Sequence, residues 1–164
     1  MPPFLLTLAW LALLPWKAPT DPFALQAAER LGPFRLGQPE AEARAALPCP
    51  ASATPRELWG ADGAWHFTLR APACGVLLGL AAPTQAGAAQ VQSVTVTPPS
   101  LLATARGVRV GSDEAAVRRA YRAELDAEAT EPGHRLVAGS IYGGLIFTLE
   151  HGEVRAIFLG AAAE

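Results

Sequence analysis

The segment Phe34-Arg35-Leu36-Gly37-Gln38-Pro39-Glu40-Ala41-Glu42-Ala43-Arg44-Ala45-Ala46-Leu47 aligns without a gap on Val108-Arg109-Val110-Gly111-Ser112-Asp113-Glu114-Ala115-Ala116-Val117-Arg118-Arg119-Ala120-Tyr121. Six of the fourteen positions are identical: Arg35/Arg109, Gly37/Gly111, Glu40/Glu114, Ala41/Ala115, Arg44/Arg118 and Ala46/Ala120. A chain rich in Ala and Arg makes some of these matches cheap, but a Gly followed by a polar residue and an acidic, Ala-rich stretch marks a helix start by mechanism. In the first copy Pro39 suits the first helical position, Glu40 and Glu42 lie near the positive end, and Pro48 and Pro50 stop the helix. In the second, Ser112 is the expected N-cap, Asp113 and Glu114 occupy the first turn, and Val117, Ala120 and Tyr121 share one face. An earlier short helix is expected over Asp21 to Arg30, with Phe23, Ala24, Ala27, Ala28 and Leu31 available to one face.

After each repeated helix the apolar period changes to two. Trp65, Phe67 and Leu69 alternate with His66, Thr68 and Arg70, and Asp62-Gly63 just before them predicts a hairpin from Leu58 to Leu69. Gly75 to Leu80 and Val91 to Val96 read as further strands. At the C-terminus His151-Gly152 suits a two-residue turn, which sets Leu149 opposite Val154, Phe147 opposite Ala156 and Leu145 opposite Phe158 on one apolar face. Thr148 opposite Arg155 and Glu150 opposite Glu153 fall on the other face. Pro98-Pro99-Ser100 interrupts the pattern and is too short for a flexible tether. The expected fold class is therefore α+β: two tandem units, residues 29–100 and 101–164, each of short helices followed by an antiparallel sheet packed on the helices, with the units in contact.

Composition bounds what such a chain does. With 51% apolar and 17% charged residues over 164 positions it folds around a real core. Its net charge of −2 and scattered arginines provide no basic field for nucleic acid. Met1-Pro2-Pro3 and the apolar run Phe4 to Trp16 are too short for a stable membrane span and long enough for a signal-peptide core, so residues 1–28 are read as a signal peptide or N-terminal anchor. No cysteine follows closely enough to accept a lipid. Cys49 and Cys74 are too far apart for a C-x-x-C motif, and in an oxidising compartment they are expected to bond to each other. The expected location is periplasmic or secreted.

Helices followed by antiparallel strands, with the helix starts at Gly37 and Gly111, resemble the fold shared by the β-lactamase inhibitory proteins and the small outer-membrane assembly lipoproteins, over roughly Glu29 to Gly160. The tandem arrangement is similar to the inhibitors, and a cysteine pair within a unit suits them too. The chain lacks a lipid-acceptor Cys and the Gly-x-Pro helix ends common in such families, and no inhibitory loop residue is matched. The resemblance implies a fold and not an activity.

Motifs for chemistry are absent from the spacing. No H-x-x-x-H or Cys/His cluster stands among His66, His134 and His151. Glu124, Asp126, Glu128 and Glu131 lack the Gly and the closing Glu of a calcium loop, and Gly139 to Gly144 lacks the Lys of a phosphate loop. No catalytic residue, cofactor or metal is expected. Trp59, Trp65 and Tyr142 are the candidate partner-binding residues, with core packing the competing role for Trp65. The expected function is a protein-binding module of the bacterial cell envelope whose partner is another envelope or secreted protein. The alternatives are a hydrolase-type enzyme in which folding gathers His66 or His134 with carboxylates, and a purely structural envelope component.

Overall fold

A computed structural model describes residues 23–162, so the apolar run from Phe4 to Trp16 and the start of the first expected helix lie outside the described residues. The dominant element is one antiparallel sheet of eight strands: β1 (Ser52–Ala53), β2 (Glu57–Leu58), β3 (Trp65–Ala71), β4 (Val76–Ala82), β5 (Gln90–Val96), β6 (Arg135–Ser140), β7 (Gly143–Glu150) and β8 (Glu153–Gly160). Their spatial order is β1-β3-β4-β5-β8-β7-β6, with β2 also on β3. Three short helices accompany it: α1 (Ala24–Ala28), α2 (Glu40–Ala46) and α3 (Glu114–Ala120). Among the described residues no helix is long and apolar enough to cross a membrane.

This corrects the expected architecture of two helix-plus-sheet units. The helices are five, seven and seven residues long, and Leu25, Ala43 and Val117 are the only buried residues within them. Helices of that length are not self-supporting and act as lids on a sheet that carries most of the core. The face expected for α1 is also wrong, since Phe23, Ala24, Ala27 and Ala28 are exposed and Leu25 is buried. The sheet runs unbroken from one half of the chain to the other through Val94, Thr95 and Val96 of β5, which pair with Leu159, Phe158 and Ile157 of β8.

What is duplicated is a smaller device, a corner laid against a bulged strand. The Gly37 N–H donates to the Val91 carbonyl, the Val91 N–H to Gln38 and the Glu40 N–H to Ala89. In the second half the Gly111 N–H donates to Val154, the Val154 N–H to Ser112 and the Glu114 N–H to Gly152. Both glycines have positive φ, 73° and 86°, which only glycine adopts without strain. The cap differs from expectation: the Asp113 carboxylate accepts from the Ala116 N–H, while Ser112 Oγ accepts from the Arg109 N–H and closes the preceding turn. Pro39 likewise sits one residue earlier than expected, at the N-cap of α2.

The C-terminal hairpin turns at His151 (φ 53°) and Gly152 (φ 80°), a pair of left-handed residues as a type I′ turn demands. Leu149 pairs with Val154 and Glu150 with Glu153, but Arg155 is then skipped, so that Thr148 faces Ala156, Phe147 faces Ile157 and Leu145 faces Leu159. The expected pairs Phe147–Ala156, Leu145–Phe158 and Thr148–Arg155 are thus displaced by one residue. The bulge has a clear cause. Strict alternation would put Val154 on the opposite face from Ile157 and Leu159, whereas one extra residue brings all three into the core and leaves Arg155 in solvent. The same device recurs in β5, where Gln92 is skipped and Val91, Val94 and Val96 all turn inward. Gly152→Val should destabilise the fold by about 1 to 2 kcal/mol in denaturant melts, because a β-branched residue resists positive φ; an unchanged midpoint would reject the turn assignment.

The core lies between one face of the sheet and the helices with the segments 31–38 and 102–110. Leu31, Phe34, Leu69, Leu78, Tyr121, Leu136, Leu145, Phe147, Ile157 and Leu159 are all fully buried there. One ion crosses this layer. Glu29, 4% exposed, accepts from the Tyr121 hydroxyl at 3.1 Å and the Ala105 N–H at 3.1 Å, and lies 3.5 Å from Arg106 Nε. Arg106 in turn holds Glu124 through two hydrogen bonds of 3.0 and 2.8 Å, lies over the Tyr121 ring and donates to the Ala120 carbonyl. Burial pushes the Tyr121 phenol well above its usual range, so it remains a donor to Glu29 at any physiological pH.

Candidate functional site: the open face of the sheet

The helices cover only one face, and among the described residues the other is left without a lid across β3, β4 and β5. Register builds this face row by row: Arg70, Leu77, Thr95, Phe158 and Ile146 are successive cross-strand neighbours. Two residues along, Thr68, Gly79 and Ser93 form a second row, and beyond it His66 faces Ala81. Over these rows lies a trough of about 650 Å³. Its floor is low because Thr68, Gly79, Ala81 and Ser93 are small, and a Cβ at Gly79 would collide with Ser93 Oγ. Thr54, Pro55 and Glu57 form one wall, and Gln92 and Ala161 lie on the other side.

Two residues fix the wall. Thr54 Oγ1 accepts from the Thr68 N–H at 2.9 Å, a side chain taking the place of a ladder bond where β1 ends. Arg56 lies 4.5 Å over the Phe67 ring and donates to the carbonyls of Gln85 and Gly87, at 2.9 and 2.8 Å, and to Glu40 at 3.1 Å. The Cys49–Cys74 disulfide, with Cα atoms 6.0 Å apart, anchors the chain just before β1 to the turn that opens β4.

At one end of the trough stands a small cluster. His66 Nε2 lies 2.8 Å from Asp62 Oδ2, and the His66 ring stacks on Trp59 at 4.0 Å with planes 12° apart. The Ala64 N–H hydrogen bond, and then His66, hold the Asp62 carboxyl below its usual range. As pH falls through that lowered value the Asp62 carboxylate is lost and its contact with His66 with it; above the ordinary carboxylate range the pair is intact. Trp59 remains 41% exposed beside this pair.

The sequence-derived residues divide. Trp59 lines the trough; Trp65 shares the core side with Phe67 and Leu69 and is half-buried; Tyr142, 59% exposed, tips the β6–β7 turn, with β3, β4, β5 and β8 between it and β2. His66 and His134 are not brought together, since the His134 carbonyl accepts from Leu149 at the far side of the sheet. Ser93 lies two strands across and two residues along from His66, about 10 Å by about 7 Å, beyond the reach of a serine–histidine hydrogen bond. Of the acidic stretch, Glu124 pairs with Arg106, Asp126 accepts from the Glu128 and Ala129 N–H groups, and Glu131 pairs with Arg135. Among the described residues no group of three or more His, Cys, Asp or Glu is placed to hold a metal ion. The sequence reading missed the trough itself, whose floor depends on register between three strands; the run of small residues Gly79, Ala81 and Ser93 was the available signal.

No family model matches the chain, and no curated protein or solved structure matches it.

Proposed function

We propose that this protein is an exported component of the bacterial cell envelope, periplasmic or secreted, that acts by binding another protein on the open face of its sheet. The observation that carries this reading is the uncovered trough with an exposed aromatic, Trp59, on its rim and half-exposed apolar side chains, Leu77 and Phe158, beside it. A small-molecule site encloses most of its ligand. A trough open along one side covers only part of a small molecule, which suits a segment whose other side belongs to a larger body. Aromatic anchors beside small floor residues are what concentrate binding energy in protein interfaces. The Cys49–Cys74 bond supports an oxidising compartment. Kinship with the β-lactamase inhibitory proteins or the assembly lipoproteins, suggested by Gly37 and Gly111, belongs to the same proposal.

The test is site-specific photo-crosslinking in the native cells. A photoreactive residue at Gln92, exposed beside the trough, should give a discrete protein adduct, and one at Glu42, on the exposed side of α2, should not. No adduct from Gln92, or equal adducts from both positions, would reject the open face as the binding surface.

A further inference from the structure

We propose that the occupant of the trough is an extended segment of the partner carrying a basic side chain and, four residues away, an acidic one. This rests on the protein-binding reading above and names the chemistry of what is bound. The trough is electrically two-ended. At one end Glu57 stands directly opposite His66 on the same face, and Asp62 is bound to the His66 ring, so two carboxylates and the exposed edge of Trp59 surround one position. That combination suits a guanidinium or ammonium, whose charge the carboxylates hold while its aliphatic stem packs against the exposed indole.

At the other end is Arg70, the one arginine lining the trough. The Arg70 side chain is exposed and, like those of Arg30, Arg109, Arg119 and Arg122, makes no ion pair or hydrogen bond among the described residues, whereas Arg35, Arg44, Arg56, Arg106, Arg118, Arg135 and Arg155 each hold a carboxylate; of the five without one, Arg70 is the one that lines the trough. Leu77, directly opposite Arg70 and 36% exposed, provides apolar surface beside it that a bound chain would cover, strengthening the charge pair by excluding water.

The spacing fixes the ligand. His66 and Arg70 are four residues apart on one strand, about 13 Å, and in an extended ligand residues i and i+4 point the same way at that same separation. Residue i+2 then sits over Thr68, Gly79 and Ser93, a row of short side chains that keeps the floor low beneath a side chain of moderate size. The floor strands are hydrogen-bonded to one another, so recognition falls to side chains rather than to strand addition.

The experiment titrates the full chain, isotope-labelled for NMR, with three capped pentapeptides: Arg-Ser-Val-Ser-Glu, Arg-Ser-Val-Ser-Arg and Glu-Ser-Val-Ser-Glu. The first should bind about tenfold more tightly than the others, with amide shifts confined to Glu57 to Asp62, His66 to Arg70, Leu77 to Ala81 and Gln92 to Ser93. Arg70→Glu, an exposed substitution, should reverse the preference, weakening Arg-Ser-Val-Ser-Glu about tenfold and favouring Arg-Ser-Val-Ser-Arg. Equal binding of the three peptides, no binding of any, shifts that map to the helices, or an Arg70→Glu chain with unchanged preference would each overturn the proposal. The crosslink at Gln92 separates the two failures: an adduct that persists undiminished in Arg70→Glu overturns the charge pattern and leaves the binding surface standing, while the absence of an adduct in the unaltered chain removes the surface itself.

Discussion

Phe147→Ala should lower the free energy of unfolding by about 3 to 5 kcal/mol, and Thr148→Ala by well under 1 kcal/mol, in urea melts fitted with a common slope. Phe147 is fully buried at the centre of the core, faces Ile157 across the hairpin and meets the Tyr121 ring at 5.3 Å. Truncation leaves a cavity that two flanking strands cannot close, because β7 is held by β6 on one side and β8 on the other. It also frees the ring whose hydroxyl satisfies Glu29, so the loss should lie at the upper end of that range. Thr148 faces solvent opposite Ala156 and buries nothing. Equal losses at the two positions would mean that the sheet is not one-sided here.

Replacing both cysteines by Ser should destabilise the folded chain by about 3 kcal/mol, measured against the unreduced parent. The bond closes a loop spanning a sequence separation of 25, and in the chain-entropy account its main effect is to restrict the unfolded ensemble. It has a second, local consequence. Cys49 lies three residues before β1, and β1 contributes only Ser52 and Ala53 to the sheet. A two-residue strand has few contacts of its own, so without the anchor the wall at Thr54 to Glu57 should loosen before the rest of the sheet does. Hydrogen exchange should therefore show the Thr54 and Thr68 amides losing protection more than those of Val94 or Leu145. Uniform loss would assign the bond a global role only, and titration of two thiols in the unreduced native protein would remove the bond.

Local chemistry was legible from residue order. The corners at Gly37 and Gly111, the turn at His151-Gly152, the apolar face of Leu145, Phe147 and Leu149, and the pairing of Cys49 with Cys74 each follow from a few neighbouring residues or from the only two thiols present. Backbone sterics at positive φ and period two act within the strand or turn itself, so they need no tertiary information. The bulges at Gln92 and Arg155 were half legible, in the i, i+3 spacing of Val91 with Val94 and of Val154 with Ile157. Choosing the bulged register over strict alternation requires knowing which face is covered, and only the packed helices and corners decide that. The architecture was decided there as well: helices of five to seven residues read the same in a sequence whether they cap two separate sheets or lie on one, and the β5–β8 pairing is a contact between residues some 60 positions apart. The trough belongs wholly to that level. Its floor comes from β3, β4 and β5, its wall from the β1–β2 connection and β2, and its two charged ends from residues whose common face is fixed by register, because hydrogen bonds between strands, and not neighbours in the chain, determine which side chains meet.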